Sequence, residues 1–152
     1  VETAATVLAD AKAGEVAARI PRALVIGADQ ILECDGHWFD KPPDFAAAAE
    51  TLRALRGRRH RLISAVSVYR GDANVWRHLE MPHLTMRDFS DGFLENYIEE
   101  SGPDILESVG AYRLEGSGAQ LFSHIDGDYF TILGLPLLAL LDFLRKVGAT
   151  AE

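Results

Sequence analysis

Little in this sequence could staple the chain, anchor it, or draw it to a polyanion. Cysteine occurs once, at Cys34, which excludes an internal disulfide and suits a reducing, cytoplasmic compartment. No apolar run approaches the roughly 20 residues that a membrane-crossing helix needs. The longest, ILGLPLLALLDFL, is broken by Gly134 and Pro136 and ends in charge. A basic excess is missing as well: 15 Lys and Arg face 23 Asp and Glu, for a net charge of −8. No general field would gather nucleic acid or an anionic membrane. A polyanionic substrate would need a local set of cations and a metal ion. There is no GxSxG elbow to support a serine hydrolase. His78 and His83 are five apart on a predicted strand, so they do not share a face and make no zinc site.

What is present reads as one soluble domain. Its 152 residues are 48% hydrophobic and 25% charged, without repeats or a linker, enough for a single buried core. Helical spacing runs over 3–19, with Thr3 as N-cap. The strand LVIGA follows, then a hairpin turn at Cys34-Asp35-Gly36 with HWF returning. Asp44 caps the helix FAAAAETLRALR and Gly57 stops it. RHRLISAVSVYR has strand alternation, and RGDAN turns it into a second long strand, VWRHLEMPHLTMRDF, which Pro82 must bend. Ser90 or Asp91 caps FLENYIEES, and Gly102 ends it. After a loop-rich stretch, LFSHIDGDYFTIL reads as a hairpin about Gly127, and Pro136 opens a last helix that Gly148 closes. Hairpins mixed with helices predict an α/β fold with a mixed sheet covered by helices.

Three features could carry chemistry. Asp29 lies at the carboxyl end of a strand behind Gly27 and Ala28, where ligands reach open α/β sheets, or it simply starts a turn. Lys41 precedes Pro42 and Pro43, which hold the backbone extended. That makes it a fixed point charge for phosphate or a solvated surface lysine. Arg58, Arg59 and Arg61 crowd a helix end; the helix dipole accounts for much of this, and an anion site is the second reading. The loop EGSGAQ precedes a strand, whereas Walker and dinucleotide loops open a helix. Cys34, in a turn without an adjacent cation, reads as inert.

In order along the chain stand LADAKA, VIGADQIL, DKP, LRALRGRRHRLISAV and ESVGAYRLEGSGAQLFSHIDGDYFTILGLPL. This series resembles the Maf family of nucleoside triphosphate pyrophosphatases, first described as septum-formation inhibitors, over about residues 8–144. The resemblance implies a curved mixed β-sheet flanked by helices, two-lobed with a central cleft (Maf/ITPase-like), often in a homodimer. It implies a hydrolase acting on acid anhydrides, which splits a nucleoside triphosphate into a monophosphate and pyrophosphate with Mg2+ or Mn2+. Such an enzyme would cleanse the nucleotide pool. By the same resemblance Asp29 is the catalytic aspartate and a metal ligand. Lys41 and Lys12 match the family's lysines, and Arg58 falls where members carry a basic residue; all three would grip the triphosphate.

Members acting on pyrimidine triphosphates often carry threonine after GAD and glutamine before G-x-GA. Here Gln30 and Glu115 stand there, which resembles the branch associated with 7-methyl-GTP. Glu115 could accept from guanine N1–H and N2–H, or be a solvated loop carboxylate. Trp38 could stack on a cationic base or merely pack. Members also begin with a strand and an S-x-S-P-R-R loop. Neither is in this sequence, which opens on Val1 within a helical pattern and shows no signal peptide. The expectation is a single Maf-like domain over 1–152, shortened at its N-terminus. The alternative function is a non-catalytic nucleotide-binding protein that regulates cell division or septum formation.

Overall fold

The computed structural model describes residues 1–151. The elements run α1 (Glu2–Ala17), β1 (Leu24–Cys34), β2 (His37–Phe39), α2 (Phe45–Leu55), β3 (Arg59–Arg70), β4 (Ala73–Glu80) and β5 (His83–Met86). There follow α3 (Asp91–Ser101), two 3-10 turns at Gly102–Glu107 and Ser117–Leu121, β6 (Phe122–Asp126), α4 (Tyr129–Ile132) and α5 (Leu137–Lys146). The strands form one open six-stranded sheet in the order β2-β1-β3-β5-β6, with β4 also paired to β3. The β1–β2, β3–β4, β3–β5 and β5–β6 ladders are antiparallel. The fold is therefore α/β, with hairpin-type pairing dominant.

Two compact units share the chain. The first holds residues 1–30, 63–81 and 128–152; the second holds 31–62 and 82–127. In the first, α1 buries Ala5, Ala9, Ala13 and Ala17, one small residue per helical turn on one face. That smooth face meets β1 where Gly27 has no side chain. A Cβ at Gly27 would stand 2.5 Å from the Ala9 carbonyl oxygen and 2.6 Å from the Ala13 nitrogen. Val66 and Val68 of β3 pack with Leu140 of α5, and Trp76 stacks on Phe143 at 5.0 Å. In the second unit, α2 lies against α3 and buries Leu52 and Leu55, while α3 buries Leu94 and Tyr97.

Several sequence expectations hold. The hairpin turn uses Asp35 (φ 51°) and Gly36 (φ 83°), the left-handed pair a two-residue turn demands. The Asp44 carboxylate accepts from Ala47 N at 2.8 Å, and the Ser90 hydroxyl accepts from Phe93 N at 3.1 Å. Four expectations fail. The strand expected to end before Asp29 runs on as β1 to Cys34, so Asp29 stands mid-strand and not at a carboxyl end. Val1, not Thr3, occupies the N-cap of α1. The second long strand is two: β4 pairs with 64–70 of β3 and β5 with 59–61. Pro82, which has no amide to donate, separates them, and its carbonyl accepts from Leu62 N at 3.0 Å. The hairpin about Gly127 has only one strand. The Asp128 carboxylate caps Thr131 N at 2.9 Å, so DYFTIL turns into α4 instead.

Candidate functional site

Asp29 is held within the first unit by α1. Lys12 extends one turn along from the face that meets Gly27, and its Nζ donates to Asp29 Oδ1 at 2.5 Å and to the Ala28 carbonyl at 3.2 Å. The Asp29 side chain is 14% exposed and that of Lys12 is 58% exposed. The result is a mostly sheltered carboxylate fixed by an accessible cation. Sequence reasoning gave these two residues separate tasks; the structure makes them a pair.

Gln30 is placed differently from expectation. Its Nε2 donates to Ser64 Oγ at 2.7 Å, to the Thr131 carbonyl at 3.0 Å and toward the Ile132 carbonyl at 3.3 Å. Both amide hydrogens are thus committed to protein acceptors. Adjacent strand residues project to opposite faces, so Gln30 leaves β1 on the side away from the Asp29 carboxylate. These bonds occupy Nε2, so a base-reading role for Gln30 would fall to its Oε1.

The other candidates lie in the second unit. Lys41 Nζ donates to Glu107 Oε2 at 3.4 Å, with both side chains exposed, a loose pair that a phosphate could displace. Arg58 Nη1 donates to Asp35 Oδ2 at 3.1 Å. Arg58 and Trp38 line one open cavity of about 360 Å³ together with Cys34, His37, Phe39 and Ala54. Glu115 Oε1 accepts from Arg113 Nε at 2.8 Å, and Arg113 Nη1 also reaches Asp104 Oδ2 at 2.8 Å. Partial burial opposes ionisation of Glu115, but its own backbone amide and Arg113 together outweigh it and hold the carboxyl below its ordinary range. Within the glycine-rich loop, Gly118 is there for packing: a Cβ would meet the Arg113 carbonyl oxygen at 2.4 Å.

Among the described residues, no group of three or more His, Cys, Asp or Glu could cage a metal ion. A lone carboxylate such as Asp29 still fits Mg2+ or Mn2+. Those ions are held by one or two carboxylates, with substrate phosphates and waters completing the shell.

A mid-strand carboxylate of β1 clamped by a lysine of α1 joins the ordered motifs above, and residues 1–147 match the family described as Maf-like protein. The chain belongs to the Maf family. A relative from Paramagnetospirillum magneticum, named nucleoside triphosphate pyrophosphatase, is 57% identical over 95% of this chain and 74% of its own length. One of the same name from Granulibacter bethesdensis is 51% identical over 93% of this chain and 72% of its own. A Rhizobium meliloti relative, named 7-methyl-GTP pyrophosphatase, is 51% identical over 95% of this chain and 73% of its own. This Maf chain is thus similar to proteins of both names. Among its described residues, no helix is long and apolar enough to cross a membrane.

Ser64 and Thr131, the buried partners of Gln30, were not anticipated from the sequence. The D-x-x-T spacing of Asp128 and Thr131 was the one available signal, since it is that of a helix N-cap.

Proposed function

We infer that this chain is a hydrolase acting on acid anhydrides, a nucleoside triphosphate pyrophosphatase that removes modified nucleotides from the cytoplasmic pool. The Asp29–Lys12 pair carries this reading. Water attacks the α-phosphorus, its oxygen forms the new P–O bond, and the bond from that phosphorus to the α–β bridging oxygen breaks. The nucleoside monophosphate keeps the new oxygen, and pyrophosphate departs with the bonding pair. Asp29 orients the water and takes its proton. Lys12 holds that carboxylate in place and offsets the charge growing on the leaving group, the task that the family resemblance also gives to Lys41 and Arg58. A divalent ion, Mg2+ or Mn2+, bound through Asp29 and the phosphates would supply Lewis-acid polarisation of the phosphoryl oxygens.

For the base, 7-methyl-GTP is the favoured substrate. The Glu115 carboxylate has lone pairs for guanine N1–H and N2–H even with Arg113 on one oxygen. Its negative charge favours the positive charge that N7 methylation adds, and Trp38 offers a stacking face.

The test is pyrophosphate release from 7-methyl-GTP, GTP, UTP and TTP with magnesium. Asp29→Asn should lower kcat by about 10²–10⁴-fold, the range for a lost general base. Turnover that survives this substitution removes Asp29 from catalysis. Nucleotide binding by the wild type without any turnover would favour the regulatory alternative.

A further inference from the structure

We propose that Gln30, Thr131 and Glu80 are positioning residues that hold the Asp29 segment of β1 from the face opposite its carboxylate. The proposal rests on the pyrophosphatase reading above and adds residues to which that reading gives no task.

Lys12 grips β1 from one side, at Asp29 Oδ1 and the Ala28 carbonyl. On the other side the Gln30 amide reaches Ser64 Oγ and the Thr131 and Ile132 carbonyls. Ser64 Oγ itself donates to the Thr131 carbonyl at 3.1 Å. Ser64 and Thr131 are both fully buried, so each of these bonds lies where water does not compete for it. Two carbonyls facing one end of the Gln30 amide also settle which end carries the hydrogens.

Thr131 is itself held through its side chain. Its hydroxyl donates to Glu80 Oε2 at 2.5 Å, and Asp128 Oδ2 lies 3.1 Å from the same hydroxyl. The second oxygen of Glu80 lies 2.9 Å from His78 Nε2. The His78 ring stacks on Trp76, which in turn stacks on Phe143 of α5. A chain of contacts therefore runs from the α5 packing face through His78, Glu80 and Thr131 to Gln30, the residue next to the catalytic carboxylate. All of its members belong to the first unit. Two successive residues of one strand are thus pinned from opposite faces, which fixes the rotation of the strand about its own axis. That rotation decides where the Asp29 carboxylate points. A general base displaced by a fraction of an ångström loses rate while substrate affinity is kept.

The experiment compares wild type, Gln30→Leu, Glu80→Ala, their double variant and Thr131→Ser, at a temperature where circular dichroism shows each to be folded. In pyrophosphate release with magnesium, each single loss should lower kcat about 10-fold with KM held within about twofold. The double variant should also lose about 10-fold and not about 100-fold, because both residues act through one line of bonds. Thr131→Ser keeps the hydroxyl and should keep the wild-type kcat. Amide exchange at residues 28–30 should quicken about 10-fold in Gln30→Leu and Glu80→Ala, with β5–β6 unchanged. Unchanged kcat and exchange in folded Gln30→Leu would overturn the proposal. Multiplicative losses in the double variant would do the same. A raised KM with kcat retained would return Gln30 to substrate contact and also overturn it. Should the wild type release no pyrophosphate, the proposed function falls, while the exchange comparison still decides the positioning role by itself.

Discussion

Replacing Gly27 by alanine tests how closely α1 must lie on β1. The new methyl group would sit 2.5 Å from the Ala9 carbonyl oxygen, 2.6 Å from Ala13 N and 2.8 Å from Ala13 Cβ, whereas ordinary contact begins near 3.4 Å. Two of these neighbours are helix backbone, so no rotamer change can relieve them, and α1 must retreat by about an ångström. Overpacking typically costs about 1–3 kcal/mol, and a rigid obstacle puts Gly27→Ala at the upper end. At about 2–4 °C per kcal/mol for a chain of this size, Tm should fall by roughly 6–12 °C. Gly14→Ala is the control on the same helix. Its Cβ would meet only the Tyr69 ring, at 3.7 Å, and alanine in a helix interior gains about 0.5–1 kcal/mol over glycine. Scanning calorimetry should thus move the two variants in opposite directions. The retreat of α1 also withdraws Lys12 from Asp29, so kcat of Gly27→Ala should fall at temperatures where it is folded. A Gly27→Ala protein with Tm within about 1 °C of wild type would refute the close approach, since that shift corresponds to well under 1 kcal/mol.

Glu115→Gln should weaken kcat/KM for 7-methyl-GTP by about 10-fold or more, the scale of one charged base contact, while UTP changes little. Equal losses on both substrates would remove Glu115 from base recognition. His60 supplies a pH test. It is 2% exposed, its Nε2 shares a 3.0 Å hydrogen bond with the Tyr112 hydroxyl, and its Nδ1 has no partner among the described residues. Burial, with His83 adding to it, lowers its pKa to about 4. The unfolded chain therefore takes up this proton first as pH falls. The stability tied to neutral His60 is present above about pH 6.5 and is lost as pH falls toward 4, in all about 3 kcal/mol. Urea unfolding across that range should show a flatter profile for His60→Phe; parallel profiles would contradict the buried neutral imidazole.

The elements legible in the sequence are those whose signals are local. β3 was read end to end because its alternating β-branched residues have no competing turn signal. The Asp35-Gly36 turn and the Asp44 cap were legible because their chemistry lies within four residues. DYFTIL was misread because Tyr, Phe, Thr and Ile favour strands, while a single carboxylate at Asp128 was enough to turn the chain into a helix. The long strand through Pro82 failed because alternation continues across a residue that cannot keep the ladder. At the site, the identity of Asp29 came from the family motif, but its setting did not. Lys12 is 17 residues from Asp29, and the Thr131 carbonyl is 101 residues from Gln30. No periodicity reports a backbone carbonyl as the partner of a distant side chain. Gln30 could be read only by analogy, and the structure gives its amide other work.

The lone thiol has a practical consequence. Cys34 is 4% exposed, and burial, with the Asp35 charge beside it, pushes its pKa up, so near neutrality it offers a maleimide almost no thiolate. A cysteine introduced on the solvent side of either unit would then be the fast-reacting sulfur. Fluorophores or spin labels could be attached there to follow nucleotide binding, with the native residue left where it is.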